Sequence, residues 1–198
     1  MHKHLSAAIG IVITLAACEQ PTTPGDAALS RIGTNAAISE DGNVGAKGQG
    51  HAELPAGFGQ SDFEFDAKEV GYGEKGAFRM FRLRNGLTSD FEGVVTCVSE
   101  DLENNRVWIG GVVTVNRSTD ANQQLEIHQP GQDVWFRVVD NGNLGEGDGS
   151  TPDRITVLGF KGAGGIETSA QYCATRPWAA GDVNTFPLVD GDVKVRPN

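Results

Sequence analysis

Residues 61–70 read SDFEFDAKEV, and the alternation in this stretch decides the fold class. Phe63, Phe65 and Ala67 alternate with Glu64, Asp66 and Lys68. A period of two places the apolar residues on one face of an extended strand and the charged ones on the other. In a helix, residues two apart point about 200° from each other, so the two phenylalanines would fall on opposite sides. The stretch therefore predicts a strand with one buried and one wet face, as antiparallel sheets use.

Working outward, similar runs recur: GAFRMFRLR (76–84), FEGVVTCVSE (91–100), VWIGGVVTV (107–115), DVWFRVVD (133–140), RITVLGF (154–160), AQYCATR (170–176) and GDVKVRP (191–197). Between them lie turn-forming pairs, Asn85-Gly86, Asn104-Asn105, Pro130-Gly131 and Asn141-Gly142, which tolerate the backbone angles that tight turns demand. No long stretch carries an apolar stripe of helical period with caps. About eight or nine short strands predict an all-β fold: a single antiparallel β-sandwich, jelly-roll or immunoglobulin-like, with a closed β-barrel as second choice. Two runs break the simple pattern. In GAFRMFRLR the apolar parity slips by one at Met80-Phe81, predicting a bulge or burial on both faces. Gly110-Gly111 predicts a bulge, a bend or a close backbone approach.

The N-terminal region has a different composition. After Lys3, residues 5–17 are apolar and uncharged, the length of a signal h-region and too short to span a bilayer. This run ends in Leu15-Ala16-Ala17-Cys18, which resembles the lipobox of bacterial lipoproteins. The resemblance implies removal of residues 1–17, a diacylglycerol on the Cys18 sulfur and an acylated new amino group. Two or three acyl chains, such as palmitate, give stable anchoring where one binds only marginally. Glu19 stands where an Asp is associated with inner-membrane retention in Gram-negative lipoproteins, so its presence favours the outer membrane. The plain alternative is cleavage after Ala16 or Ala17 with Cys18 as a passenger. Behind it, residues 18–47 are rich in Pro, Thr, Gly, Ala, Ser and Asn and are expected to be a disordered tether. Residues 48–198 are expected to form one domain.

The chain has three cysteines. With Cys18 lipidated, Cys97 and Cys173 remain, and outside the cytoplasm such a pair most simply forms a disulfide, with two buried thiols as the alternative. The composition is acidic, with 26 Asp and Glu against 16 Lys and Arg and a net charge of −10. That balance makes nucleic acid and anionic lipid poor candidate partners. An envelope polysaccharide or protein stays compatible.

Catalytic signatures are scarce. Past the signal, only His51 and His128 are available, and no HExxH, Gly-x-Ser-x-Gly or P-loop pattern occurs. Both histidines are expected to be edge or turn residues. The segment 140–153 places Asp140, Asn141, Asp148 and Asp153 among glycines, the oxygen ligands and sharp turns that a Ca²⁺ site needs. It departs from an EF-hand, since Gly142 and Leu144 stand where side-chain ligands belong, and the alternative is a hairpin loop with local Asx hydrogen bonds. Trp108 and Trp135 lie in strands and are expected to pack. Trp178, in a loop after Cys173, is the candidate for a glycan or partner surface.

The order FEFDA (63–67), VVDNG (138–142) and GDVKV (191–195) also resembles a class of bacterial secreted β-sandwich-like domains with no settled activity. These readings together describe a cell-envelope lipoprotein, lipid-anchored and exported, with a non-catalytic binding or structural β-domain. The alternative is a secreted glycan hydrolase using a carboxylate pair, whose separation sequence cannot supply.

Overall fold

The structure is a computed structural model describing residues 45–55, 58–68, 75–142 and 151–196. Cys18 and most of the tether lie outside the described residues. The run around Phe63 forms the strand its alternation predicts, with Ser61, Phe63, Phe65 and Ala67 buried. In chain order the elements are β1 (Gly45–Glu53), β2 (Gln60–Lys68), β3 (Gly76–Arg84), β4 (Leu87–Asp101), β5 (Arg106–Asn116), β6 (Asp133–Val139), β7 (Arg154–Ile155), β8 (Gly159–Phe160), α1 (Ser169–Thr175) and β9 (Phe186–Arg196). β1 begins before the boundary expected at residue 48, and its Ala46 is buried.

Every strand pairing is antiparallel. The order β5-β4-β3-β2-β1-β9-β7-β6 closes on itself because β6 also pairs with β5, giving an eight-stranded barrel to which β8 adds at β6. The all-β class is therefore as expected, and the architecture is the barrel, not the sandwich of first choice. A sandwich leaves two edges on each of two sheets, whereas closure pairs every edge. Curvature enters through β4 and β5, whose register shifts at Glu92/Gly93 and Val95/Cys97, since a bulge bends a strand and raises its local twist.

The interior is built in rows of cross-strand neighbours. Phe65, Phe78 and Gly93 form one row across β2, β3 and β4, and Phe63, Met80 and Phe91 the next. Glycine is required in the first, because a Cβ on Gly93 would lie 2.2 Å from the Phe78 ring. Phe136 of β6 meets Phe65 and Phe78 edge-on, with centroids 5.4 and 5.8 Å away. Burial of each such ring contributes about 1.5–3 kcal/mol.

A second apolar cluster lies outside the barrel. Trp108 and Trp135 point outward from β5 and β6 and pack with Ile166, Tyr172 and Trp178. The run AQYCATR, expected as a strand, is the helix α1 in this cover. Thr168 caps it by accepting from the Gln171 N–H, and it ends at Arg176 in the left-handed region. Only two turns long, it is too short to show a periodic stripe; Ser169, Tyr172 and Cys173 are its buried face. The Cys97–Cys173 disulfide, spanning 76 positions, fastens it to β4. Close approach explains Gly110, where a Cβ would lie 2.5 Å from Cys97 Sγ and 2.8 Å from Ser169 Cβ. The RITVLGF run yields only the two-residue strands β7 and β8.

Candidate functional site: a pocket at the barrel mouth

One more row lies beyond the phenylalanine rows, and it is polar. Ser61, Arg82 and Ser89 are direct cross-strand neighbours on β2, β3 and β4, in the same inward parity as Phe63, Met80 and Phe91. This row explains the parity slip. β3 pairs with β2 and β4 without a register shift, so no bulge is present. The inner face simply changes from apolar to charged at Arg82, while Phe81 and Leu83 take the outer face.

The connection 117–132 folds over this end. It is tied down by Asn116, whose Nδ2 donates to the Gln123 and His128 carbonyls at 2.7 and 3.0 Å. Asp120 starts one turn by accepting from the Asn122 N–H at 2.9 Å and receives Arg84 Nη2 at 3.2 Å. The backbone hydrogen bond from Asn122, foremost, holds the Asp120 carboxyl below its ordinary range. Between this connection, the polar row and residues 157–163 lies a cavity of about 300 Å³. Met80, Phe91, Ile127, Leu158 and Phe160 supply apolar walls; Ser61, Arg82, Ser89, His128 and Lys161 supply polar ones.

Two side chains in the cavity have unused hydrogen-bonding atoms. Arg82 donates from Nη2 to Ser89 Oγ at 3.2 Å, and its buried Nε has no partner. Burial, chiefly, lowers its pKa, with the charge of Arg84 adding and Asp120 opposing. His128 is 8 % exposed, wedged edge-on against Phe160 at 4.3 Å and Phe91 at 6.1 Å, and its Nδ1 has no partner. Burial lowers the His128 pKa most, a hydrogen bond with the Asn122 backbone opposes, and the Arg82 charge lowers it further. His128 is thus a neutral polar group at neutral pH. Among the described residues no carboxylate lines the cavity, so they place no hydrolase carboxylate pair in it.

The sequence-expected residues sit elsewhere. Asp140 Oδ1 accepts from the Gly142 N–H at 2.9 Å and Oδ2 from the Val195 N–H at 2.9 Å. Asp153, fully buried, accepts from the Asn141 and Val193 N–H groups, both at 2.8 Å. Val193 and Val195 are two apart on β9, so the carboxylates replace ladder acceptors along the seam where only two-residue β7 joins β9 to the rest of the ring. Desolvation raises the Asp153 pKa, and its two backbone hydrogen bonds oppose that rise. Asn141 Nδ2 donates to the Pro152 carbonyl at 2.8 Å, and Asp148 lies outside the described residues. Among the described residues no three His, Cys, Asp or Glu side chains are grouped to hold a metal ion.

Trp178 is half-buried, tilted 6.4 Å from Tyr172 and seated on Gly164. It closes the outer cluster more than it offers a free ring face. His51 pairs with its cross-strand neighbour Asp62 at 2.6 Å on the outer wall. Comparison with family models, curated proteins and solved structures found no match.

Proposed function

We propose that this chain is an exported bacterial cell-envelope lipoprotein, held to the membrane through lipid on Cys18, whose barrel binds a small molecule at its mouth without catalysing its conversion. The observation that carries the binding reading is the mouth cavity, with apolar walls and the unpartnered His128 Nδ1 and Arg82 Nε. Concave, mostly apolar sites with a few convergent polar groups are where ligands bind.

The strand directions support the anchoring scheme. Gly45 pairs with Lys68 and Arg196 at one end of the barrel, whereas Glu53 pairs with Gln60 at the end that carries Ser61 and the mouth. A tether reaching β1 from Cys18 thus joins the barrel at the end away from the pocket, leaving the mouth open. For the anchor, mass spectrometry of the mature N-terminus is expected to show a lipidated Cys18; an unmodified terminus at Cys18 or Ala17 refutes it. For binding, titration with 1-octanol is expected to shift NMR signals of the Met80 methyl and the His128 ring. No shift at either residue with 1-octanol or with octanoate would sink the binding reading.

A further inference from the structure

The charge of the mouth runs against the charge of the chain. A protein of net charge −10 lines this cavity, among the described residues, with Arg82 and Lys161 and with no Asp or Glu. The acid whose charge reaches Arg82 is Asp120, but its Oδ2 pairs with Arg84 and its Oδ1 accepts from Asn122. Among the described residues, Arg82 itself has no carboxylate within salt-bridge distance and keeps only the Ser89 bond. A guanidinium left this way is a fork with open donor positions, and the fork matches a carboxylate in geometry.

We infer that the mouth pocket binds a small amphipathic monocarboxylate, its anionic head on Arg82 between the Ser61 and Ser89 hydroxyls and its apolar body against Met80, Phe91 and Phe160. The inference rests on the reading of the barrel as a binding protein and names its ligand class. The row order dictates the ligand's orientation. Ser61, Arg82 and Ser89 lie side by side across three strands, and the next row is Phe63, Met80 and Phe91. A head on the first row therefore places a tail along the second. His128, packed edge-on against Phe160 and Phe91, lines this path. Lys161, at the exposed rim, adds attraction for an anion approaching from solvent. The donor set suits a carboxylate with an apolar tail better than a free phosphate, which leaves the apolar walls unused. The cavity's size, about 300 Å³, is at the small end for ligand sites and fits a short chain, not a long one.

The test compares octanoate, 1-octanol and inorganic phosphate by isothermal titration calorimetry on the purified full-length protein. Octanoate is expected to bind with a Kd between about 1 μM and 1 mM, in the range small ligands reach, and at least about tenfold more tightly than octanol. Arg82→Gln is expected to weaken octanoate about ten- to hundredfold, as loss of a charge-assisted pair should, and to leave octanol unchanged. Arg82→Lys should fall between, and Arg79→Gln on the outer wall should match the wild type. Equal affinity for octanoate and octanol, or phosphate binding as tightly as octanoate, overturns the carboxylate assignment while leaving the binding reading standing. Binding of none of the three probes refutes both. The wild-type comparison decides the matter even if an Arg82 variant fails to fold.

Discussion

Two arginines leave the barrel wall in opposite directions, and their surroundings differ in kind. Arg137 points outward from β6 and is fully buried beneath the cover formed by α1 and the 176–185 segment. Its Nη1 donates to the Trp178 carbonyl and its Nη2 to the Val183 carbonyl at 2.6 Å, with the guanidinium 5.8 Å over the Trp108 ring. Arg82 points inward at the mouth, where one serine hydroxyl meets it and a cavity lies before it. Both have an Nε without a partner, but Arg137 has both terminal nitrogens committed to carbonyls that fix a loop, whereas Arg82 has only Nη2 engaged, on Ser89. A buried cation bound by main-chain carbonyls is a structural clamp; one facing a cavity lined by cations and hydroxyls is a recognition group.

Removing pieces of the outer cover should therefore cost stability, and changes at the mouth should cost little. The largest effect is expected from the disulfide that holds α1. Cys97→Ala with Cys173→Ala should lower unfolding stability by about 4 kcal/mol in the chain-entropy view of a loop this long, read by urea denaturation; a loss under about 1 kcal/mol would show that the helix docks without the bridge. Next, Arg137→Ala should cost about 3 kcal/mol, because it strips two part-buried carbonyls of their charged donor and leaves a gap over Trp108. A smaller loss, about 2 kcal/mol, is expected for Asp153→Ala, which orphans the Asn141 and Val193 N–H groups at the β9 seam but relieves the carboxylate's desolvation. Hydrogen exchange at Val193 checks it directly, since faster exchange there should accompany the loss.

The mouth should behave differently. His128 holds a proton less tightly folded than unfolded, so its effect on stability is absent above about pH 6.5 and grows as a loss when pH falls below that value toward its lowered folded pKa. Stability measured from pH 8 to 5 should fall in the wild type and fall less in His128→Phe, a variant that keeps an aromatic ring against Phe91 and Phe160. Identical slopes would remove His128 as the source. Smallest of all is Arg82→Gln, expected to change stability by under about 1 kcal/mol or to raise it, as substitutions at recognition sites often do. A loss matching that of Arg137→Ala would erase the contrast between the two arginines.

Local features of the chain announced much of this fold. The Phe63, Phe65, Ala67 alternation marked β2, and Asn85-Gly86, with φ of 52° and 79°, turns the β3–β4 hairpin as its residue pair expects. The separation of sandwich from barrel was not legible, because a strand with one buried face reads the same in either; closure depends on β5 meeting β6 and β9 meeting β7, pairings between distant segments. The helix α1 was hidden by its length and by a tyrosine and cysteine that read equally well as strand. The mouth was partly visible. The slip at Met80-Phe81 was its signal, and recognising an inner face turning polar required knowing that Ser61 and Ser89 flank Arg82. The sequence marks Asp140 and Asp153 as oxygen ligands, and among the described residues their oxygens accept from backbone N–H groups of β9.

The measurement that bears most directly on the central claim is thermal unfolding of wild type and Arg82→Gln with and without octanoate at about one hundred times its dissociation constant. A ligand that binds only the folded state adds about 2.7 kcal/mol there, which for a domain of this size raises Tm by roughly 5–10 °C. The account predicts that rise in the wild type and, at the same octanoate concentration, a rise cut to about half or less in Arg82→Gln, since a ten- to hundredfold loss of affinity leaves about 1.4 to 0.4 kcal/mol of stabilisation. An equal rise in both proteins, or none in the wild type, would contradict it.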